Sequence, residues 1–314
     1  MKILVTGSNG LVGNSIRNIA DKYSNTEFIF LTKNICDLEN RYSVLMYFAG
    51  NKDIDAIIHL ANNVGGLFMN QNNNIDMFSK NIKINENILE ACLKYNIKNG
   101  IFCLSSCIFP HKPSKFPMDE TMIHESPPHY SNEGYAYSKR MLELQCRQFN
   151  LTHNTNFKCV IPVNLYGPYD NFNIQKGHVI PSLINRFHKE KQRKNPNYYV
   201  YGDGNAYRQF LYAPDFAKII CDILVNNVYS DNKPIICCND EITIRDMVIL
   251  LCKIMNIDYN KIIWGSALDN GCQKKTVDNT KLLKYFNNFK FTNLEDGLGN
   301  TYKWFVNNID DIRE

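Results

Sequence analysis

With 314 residues, 44% of them apolar and 21% charged, the chain has the length for one large α/β unit or two fused ones and an ordinary globular composition. Its net charge of +4 argues against dedicated nucleic-acid binding and leaves room for local basic pockets that hold phosphates. The eleven cysteines lie mostly inside apolar segments without CxxC or Cys/His zinc spacing, so no metal is expected and the thiols read as small core residues of a reducing compartment.

The N-terminus leads directly into a strand and no apolar segment is long enough to span a bilayer, which predicts a cytoplasmic protein with no targeting signal. Lys2 to Thr6 is a short β-branched run, and Gly7-Ser8-Asn9-Gly10-Leu11-Val12-Gly13 follows it before an apolar helical pattern. Glycines at this spacing between strand and helix form a dinucleotide-binding turn: they allow the tight bend, the close approach of backbone to a pyrophosphate, and the packing of helix on strand. The next strand, Glu27 to Leu31, ends in Thr32-Lys33. An acidic residue there would hold the ribose hydroxyls of NAD, whereas the Lys33 cation suits a 2′-phosphate, so NADP is the expected cofactor.

Ala56 to Ala61 reads as a third buried strand, with His59 as a core histidine. Ile75 to Tyr95 is a long helical pattern and Asn99 to Leu104 a fourth strand. The alternation of strand and helix predicts a doubly wound parallel sheet of the Rossmann kind. The fourth strand runs into Ser105-Ser106-Cys107-Ile108-Phe109-Pro110, then into a proline-rich connection. A connection of that length in a compact domain is usually functional. It closes on Tyr135-Ala136-Tyr137-Ser138-Lys139. Residues four apart on a helix share a face, so Lys139 stands beside Tyr135, and an ammonium next to a phenol favours phenolate. A serine at the preceding strand end can join them, Ser105 or Ser106 on physical grounds alone. Serine, tyrosine and lysine so arranged suit carbonyl reduction by a nicotinamide. Tyr137 is a decoy, since Met141 stands four residues after it.

Lys158 to Pro162 is a further strand. Beyond it the alternation changes: helices at Asp215 to Asn226, Ile244 to Met255 and Leu294 to Asn307, and strand-like runs at Pro234 to Cys237 and Lys261 to Trp264. The pattern predicts a smaller C-terminal α/β substrate domain. Residues 1–168 form the cofactor domain with a returning segment at about 205–238, and 169–204 with 239–314 form the substrate domain. Lys189-Glu190-Lys191-Gln192-Arg193-Lys194 reads as a solvated helix end.

The Tyr-x-x-x-Lys pair with its upstream serine resembles the extended short-chain dehydrogenase/reductase superfamily. Ser105-Ser106-Cys107-Ile108-Phe109-Pro110, Asn164-Leu165-Tyr166-Gly167-Pro168 with Asp170-Asn171-Phe172, His178-Val179-Ile180-Pro181, Val64-Gly65-Gly66-Leu67 and Arg208-Gln209-Phe210 are similar, over nearly the whole chain, to the GDP-L-fucose synthase family. That family epimerises GDP-4-keto-6-deoxy-D-mannose at C3 and C5 and then reduces the C4 ketone with NADPH. The resemblance implies Ser105, Tyr135 and Lys139 as the reducing set, Cys107 as epimerisation base and His178 as acid. It also implies cofactor contacts from the glycine turn, Lys33, Asp37, Leu38, Leu104, Ser105, Lys139, Pro162, Asn164, Leu165 and His178. Arg186, Tyr201, Arg208 and Asn270 would hold the GDP moiety, and a homodimer is expected. Tyr201 replaces a tryptophan common in that family. Ala267-Leu268-Asp269-Asn270-Gly271 departs from its Ser-Lys-x-Asp-Gly, and Asn62 from its usual alanine.

Overall fold

The computed structural model describes residues 1–66, 73–267 and 271–313. The apolar runs identified above become the central strands: β1 (Lys2–Thr6), β2 (Glu27–Leu31), β3 (Ala56–His59), β4 (Asn99–Cys103) and β5 (Asn156–Pro162). They pair in parallel in the order β2-β1-β3-β4-β5, and the chain returns much later to add β9 (Ile235–Cys237) beside β5. Ile3 to Val5, Ala56 to Ile58 and Val160 to Ile161 are fully buried, as expected when helices cover both faces of a parallel sheet. The cover is α1 (Leu11–Arg17), α2 (Arg41–Gly50), α3 (Asn74–Lys94), α4 (Glu133–His153) and α6 (Ala213–Val225). Strand order reverses between β1 and β3, which opens a crevice at their carboxyl ends.

On α4, Tyr135, Ala136, Ser138, Lys139, Leu142 and Cys146 are buried, at the spacing of one helical face. This face carries both apolar packing and the Tyr-Lys pair. The helix begins where α3 begins: the Gly134 amide donates to Asn74 Oδ1 at 3.1 Å.

A second hydrophobic core gathers Tyr166, Phe172, Leu183, Phe187, Phe210, Met247 and Phe305, among others. It is built from α5 (Val179–Lys191), α7 (Ile244–Met255), α9 (Leu294–Asn307) and two small sheets. In one, β8 (Tyr207–Tyr212) lies between β6 (Asn164–Tyr166) and β10 (Glu241–Thr243). In the other, β7 (Tyr198–Val200) pairs with β11 (Ile262–Trp264). The charged run after Lys189 is the surface end of α5, where Arg193 Nη1 meets Glu190 Oε1 at 2.8 Å.

Two helices lack the apolar stripe a sequence pattern needs. In α2 only Val44 and Phe48 are buried, and α8 (Thr280–Tyr285) is a turn and a half long with Leu282 as its one buried residue. Among the described residues no helix is long and apolar enough to cross a membrane.

Candidate active site

One cleft of about 1020 Å³ runs from the glycine turn across the carboxyl ends of the main sheet to β7, β8 and residues 271–275. Its floor begins at β1. Gly7 sits at φ +67, and a Cβ on it would stand 2.8 Å from the Ala61 amide nitrogen, so the turn needs glycine twice over. A Cβ on Gly13 would reach within 2.5 Å of the Ser8 backbone. Ser8 is buried and its Oγ donates to the Leu31 carbonyl at 2.8 Å, tying the turn to the end of β2.

Behind the turn, Thr6 Oγ1 accepts from the amides of Leu60 and Ala61 and donates to His59 Nδ1 at 2.8 Å. His59 Nε2 then donates to Asn85 Oδ1 at 3.2 Å. Burial, reinforced by the Lys139 charge, lowers the His59 pKa to about 3, so it is a neutral structural group as its apolar strand implied. Asn81 clamps the loop after β3 in both directions, accepting from the Asn63 amide at 2.7 Å and donating to its carbonyl at 3.0 Å. Asn62 leaves its Oδ1 buried without a partner among the described residues.

Lys33 extends from the end of β2 along the cleft rim, 3.6 Å from Glu39 Oε1. Asp37 accepts from the Glu39 amide, while Leu38 is buried and its carbonyl is held by Asn87 Nδ2 at 2.8 Å. Asn9, Gly10, Leu11 and Val12 line the same end, and Leu104, Pro162, Asn164 and Leu165 line the middle. Asn164 Nδ2 donates to the Gln209 carbonyl at 2.9 Å, fastening β6 to β8 at the junction of the two cores.

The side chains expected to carry the chemistry come from three elements. Ser105 stands two residues beyond β4 and caps a short 3₁₀ turn, its Oγ accepting from the Cys107 amide at 3.3 Å. Cys107 lies on that turn, 5% exposed and facing the cleft. Tyr135 is 8% and Lys139 1% exposed, and the Lys139 ammonium is 5.8 Å from the Tyr135 ring centroid and donates to the Cys103 carbonyl. His178 caps the start of α5 on the opposite wall, where solvent still reaches its ring through the cleft.

The electrostatics correct two expectations. Sequence spacing implied a phenolate-favouring Tyr135, but burial, with the Cys107 and Cys103 thiols nearby, raises its pKa well above the ordinary phenol value. The group at rest is the protonated donor. Burial likewise raises the Cys107 thiol, against the lowering expected from a neighbouring cation, and Lys275, Ser105, Lys139 and Arg140 only partly pull it back. Lys139 itself is lowered by burial. Desolvation by the cleft walls and the Arg313 charge hold His178 below the usual imidazole value.

At the far end, Arg186 Nη1 donates to the Tyr199 carbonyl at 3.0 Å, and its guanidinium lies 4.7 Å over the half-exposed Tyr201 ring. Arg208 on β8 donates from Nη1 to the Tyr207 carbonyl at 2.7 Å. Asn270, also expected here, and the neighbouring Leu268 lie outside the described residues, as does Leu67.

Several cleft groups escaped the sequence reading. Lys275 lies among Cys107, Arg208 and Cys272 on a segment that crosses the cleft, and burial lowers its pKa. That segment is held by backbone bonds from Tyr207 to Gln273, Met118 to Thr276 and Asp278 to Met118. Gln209 adds a clamp, its side chain accepting from the Val277 amide at 2.9 Å and donating to the Val277 carbonyl at 3.0 Å. Asp170 is buried with Oδ2 unpartnered among the described residues, and burial pushes its carboxyl up to about 7 against the pull of the Asn171 amide and Arg313. Asp170 and Gln209 lie within motifs that carry the family resemblance but without a role attached, and the lysine pair Lys274-Lys275 reads first as solvated surface. Among the described residues no cluster of histidine, cysteine and carboxylate side chains could hold a metal ion.

A parallel dinucleotide-type sheet with serine, tyrosine and lysine at its carboxyl ends defines a nicotinamide-dependent reductase or epimerase. Residues 3–236 match the NAD dependent epimerase/dehydratase family. A GDP-L-fucose synthase of Dictyostelium discoideum is 39% identical over 99% of this chain and 97% of its own length. A probable GDP-L-fucose synthase of Drosophila melanogaster is 36% identical over 100% and 99%. The crystal structure of a GDP-L-fucose synthetase from Naegleria fowleri bound to NADP superposes with a TM-score of 0.90 at 34% identity, covering 100% of this chain and 95% of that one. The chain belongs to the NAD dependent epimerase/dehydratase family and, within it, to the GDP-L-fucose synthases.

Proposed function

We propose that the chain epimerises GDP-4-keto-6-deoxy-D-mannose at C3 and C5 and then reduces C4 with NADPH, yielding GDP-L-fucose. The observation that carries this reading is the meeting of Cys107 and His178 with Ser105, Tyr135 and Lys139 in one cleft. A plain C4 reductase needs only the last three.

NADPH, when bound, supplies the hydride to C4. The glycine turn fits its pyrophosphate: it packs against Ala61 and Ser8 too closely for a Cβ at Gly7 or Gly13, and it leads directly into the N-terminus of α1. Lys33 at the end of β2 provides a cation for the 2′-phosphate.

Protons at C3 and C5 are acidic because a ketone stands between them, provided the enolate oxygen is stabilised. Ser105 Oγ and the protonated Tyr135 hydroxyl donate to that oxygen. Cys107 Sγ removes the ring proton, with Lys275 as the foremost cation favouring its thiolate. His178, on the other wall, returns a proton to the opposite face of the ring; its lowered pKa makes the imidazolium a stronger acid. Each such group contributes about 10²–10⁴-fold. In the last step Tyr135 gives its phenolic proton to the C4 oxygen while Lys139, fixed by the Cys103 carbonyl, stabilises the resulting phenolate.

Arg186, Tyr201 and Arg208 take the GDP moiety, the cations on the diphosphate and the Tyr201 ring against the base. The two separate cores support assigning residues 1–168 with the returning segment at about 205–238 to the cofactor, and 169–204 with 239–314 to the nucleotide sugar. A homodimer formed through α3 and α4 would cover Met141, Leu144 and Leu151, which stand exposed on α4. The cytoplasm, where NADPH and nucleotide sugars are available, is the setting this chemistry fits.

The test is loss of NADPH absorbance on adding GDP-4-keto-6-deoxy-D-mannose, followed by identification of the product. GDP-L-fucose is the expected product. GDP-D-rhamnose would reduce the activity to C4 reduction and remove the roles given to Cys107 and His178.

A further inference from the structure

His129 lies in the proline-rich connection before α4, 8% exposed, and lines the same cleft. Its Nδ1 accepts from the Ser131 amide at 3.2 Å and stands 2.7 Å from the Ser131 hydroxyl. An Nδ1 that accepts from a backbone amide carries its lone pair there, so the neutral ring has its proton on Nε2. The ring is also fixed by neighbours: the His111 ring meets it edge-on at 4.4 Å and the Tyr130 ring stacks on it at 4.4 Å. The hydrogen bonds of the ring to described residues are all at Nδ1, which leaves Nε2 without a partner among them. Burial first, then His111, Lys275 from the crossing segment and Arg208 from β8 disfavour protonation of this imidazole.

An oriented N–H donor without a partner among the described residues, on a cleft that Lys275 and Arg208 also line, matches an anionic oxygen as ligand. A third fixed cation there would repel Lys275 and Arg208; a neutral donor adds a hydrogen bond at no such cost. The position also separates it from the GDP end. His129 reaches the cleft from the connection that leads straight into α4 and Tyr135, whereas Arg186 and Tyr201 reach it from the elements of the second core. We propose that His129 donates its Nε2–H to the sugar-bearing phosphate of the nucleotide-sugar substrate and so sets where the hexose ring sits against Cys107 and Tyr135. This assignment rests on the GDP-hexose reading of the cleft.

The experiment compares GDP and GMP binding by calorimetry in the full chain and in His129→Asn. The asparagine carbonyl can still accept from the Ser131 amide, so the local turn is kept while the Nε2 donor is lost. GDP carries the phosphate that bears the sugar, and GMP lacks it. His129→Asn is expected to weaken GDP by about tenfold or more, the worth of a hydrogen bond to a charged group, and to leave GMP and NADP binding unchanged. His129→Gln, which returns a donor near the Nε2 position, should recover part of the loss. Unchanged GDP binding by His129→Asn, or equal loss of GDP and GMP, overturns the assignment; so does failure of His129→Gln to recover any affinity. If the unsubstituted chain binds no GDP at all, the substrate reading falls first and His129 with it.

Discussion

The two ends of the cleft are built in opposite ways. At the cofactor end, contacts come from short contiguous stretches at the carboxyl ends of neighbouring parallel strands, which pack directly on one another: Gly7 at φ +67, Gly13 against Ser8, Thr6 closing on Leu60 and Ala61. At the substrate end, Arg186, Tyr201, Arg208 and Lys275 come from four separate segments held by long-range bonds, such as the clamp from Gln209 to Val277. The first end is fixed by adjacent strands of one parallel sheet. The second exists only once the second core has formed. Damage to the first should therefore remain local, while damage to the second should spread among its members.

The largest effect is expected where the ends meet. Tyr135→Phe keeps the ring packed but removes the proton donor, so single-turnover NADPH oxidation should slow by about 10²–10⁴-fold while NADPH still binds. Loss of both binding and turnover would instead place Tyr135 in the scaffold of the cofactor end.

Cys107→Ser should cut exchange of the C3 and C5 protons with solvent by a comparable factor of about 10²–10⁴, leaving C4 reduction able to proceed on the unepimerised sugar. The pH dependence gives a sign. With the Cys107 thiolate as the proposed base and burial raising the thiol pKa, exchange should climb with pH and continue climbing on the alkaline side of an ordinary cysteine. Replacing Lys275 by methionine removes the foremost charge favouring the thiolate and should shift the rising limb further alkaline. An unmoved limb would make Lys275 a ligand for substrate alone.

Gln209→Leu tests the spreading of damage. It leaves the buried amide of Val277 without its partner and the Val277 carbonyl with the Cys238 thiol alone, a cost of about 1–3 kcal/mol for an unsatisfied group. The expected outcome is a lower Tm and a raised KM for the nucleotide sugar with NADPH affinity unchanged. Equal weakening of both ligands would deny that the two ends are separately built.

This same contrast explains what could be read in advance. The parallel sheet, the glycine turn, the Tyr135–Lys139 pair and His59 as a core group follow from periodicity and spacing, because one stretch of chain decides each. The ionisation states of Tyr135 and Cys107 did not, since both are governed by burial under walls contributed from distant segments. Nor did Lys275 or Gln209, whose roles appear only when residues 273–278 cross between β8 and Met118. His129 sat in a proline-rich loop that spacing marked as functional without pointing to any residue in it.

The smallest effect belongs to Lys33, which is exposed and already faces Glu39. Lys33→Glu should weaken NADPH by about 1 kcal/mol, a severalfold change, and move preference toward NADH. No change in the ratio of the two affinities would shift 2′-phosphate recognition to another group.

The account stands or falls on whether one cleft carries out both proton exchange and reduction. The measurement is turnover of GDP-4-keto-6-deoxy-D-mannose with NADPH in D₂O, with deuterium located in the product by NMR. Deuterium at C3 and C5 of GDP-L-fucose, and none at C4, is the predicted result. A reduced product with ordinary hydrogen at C3 and C5 would contradict it, leaving Cys107 and His178 without the function given to them here.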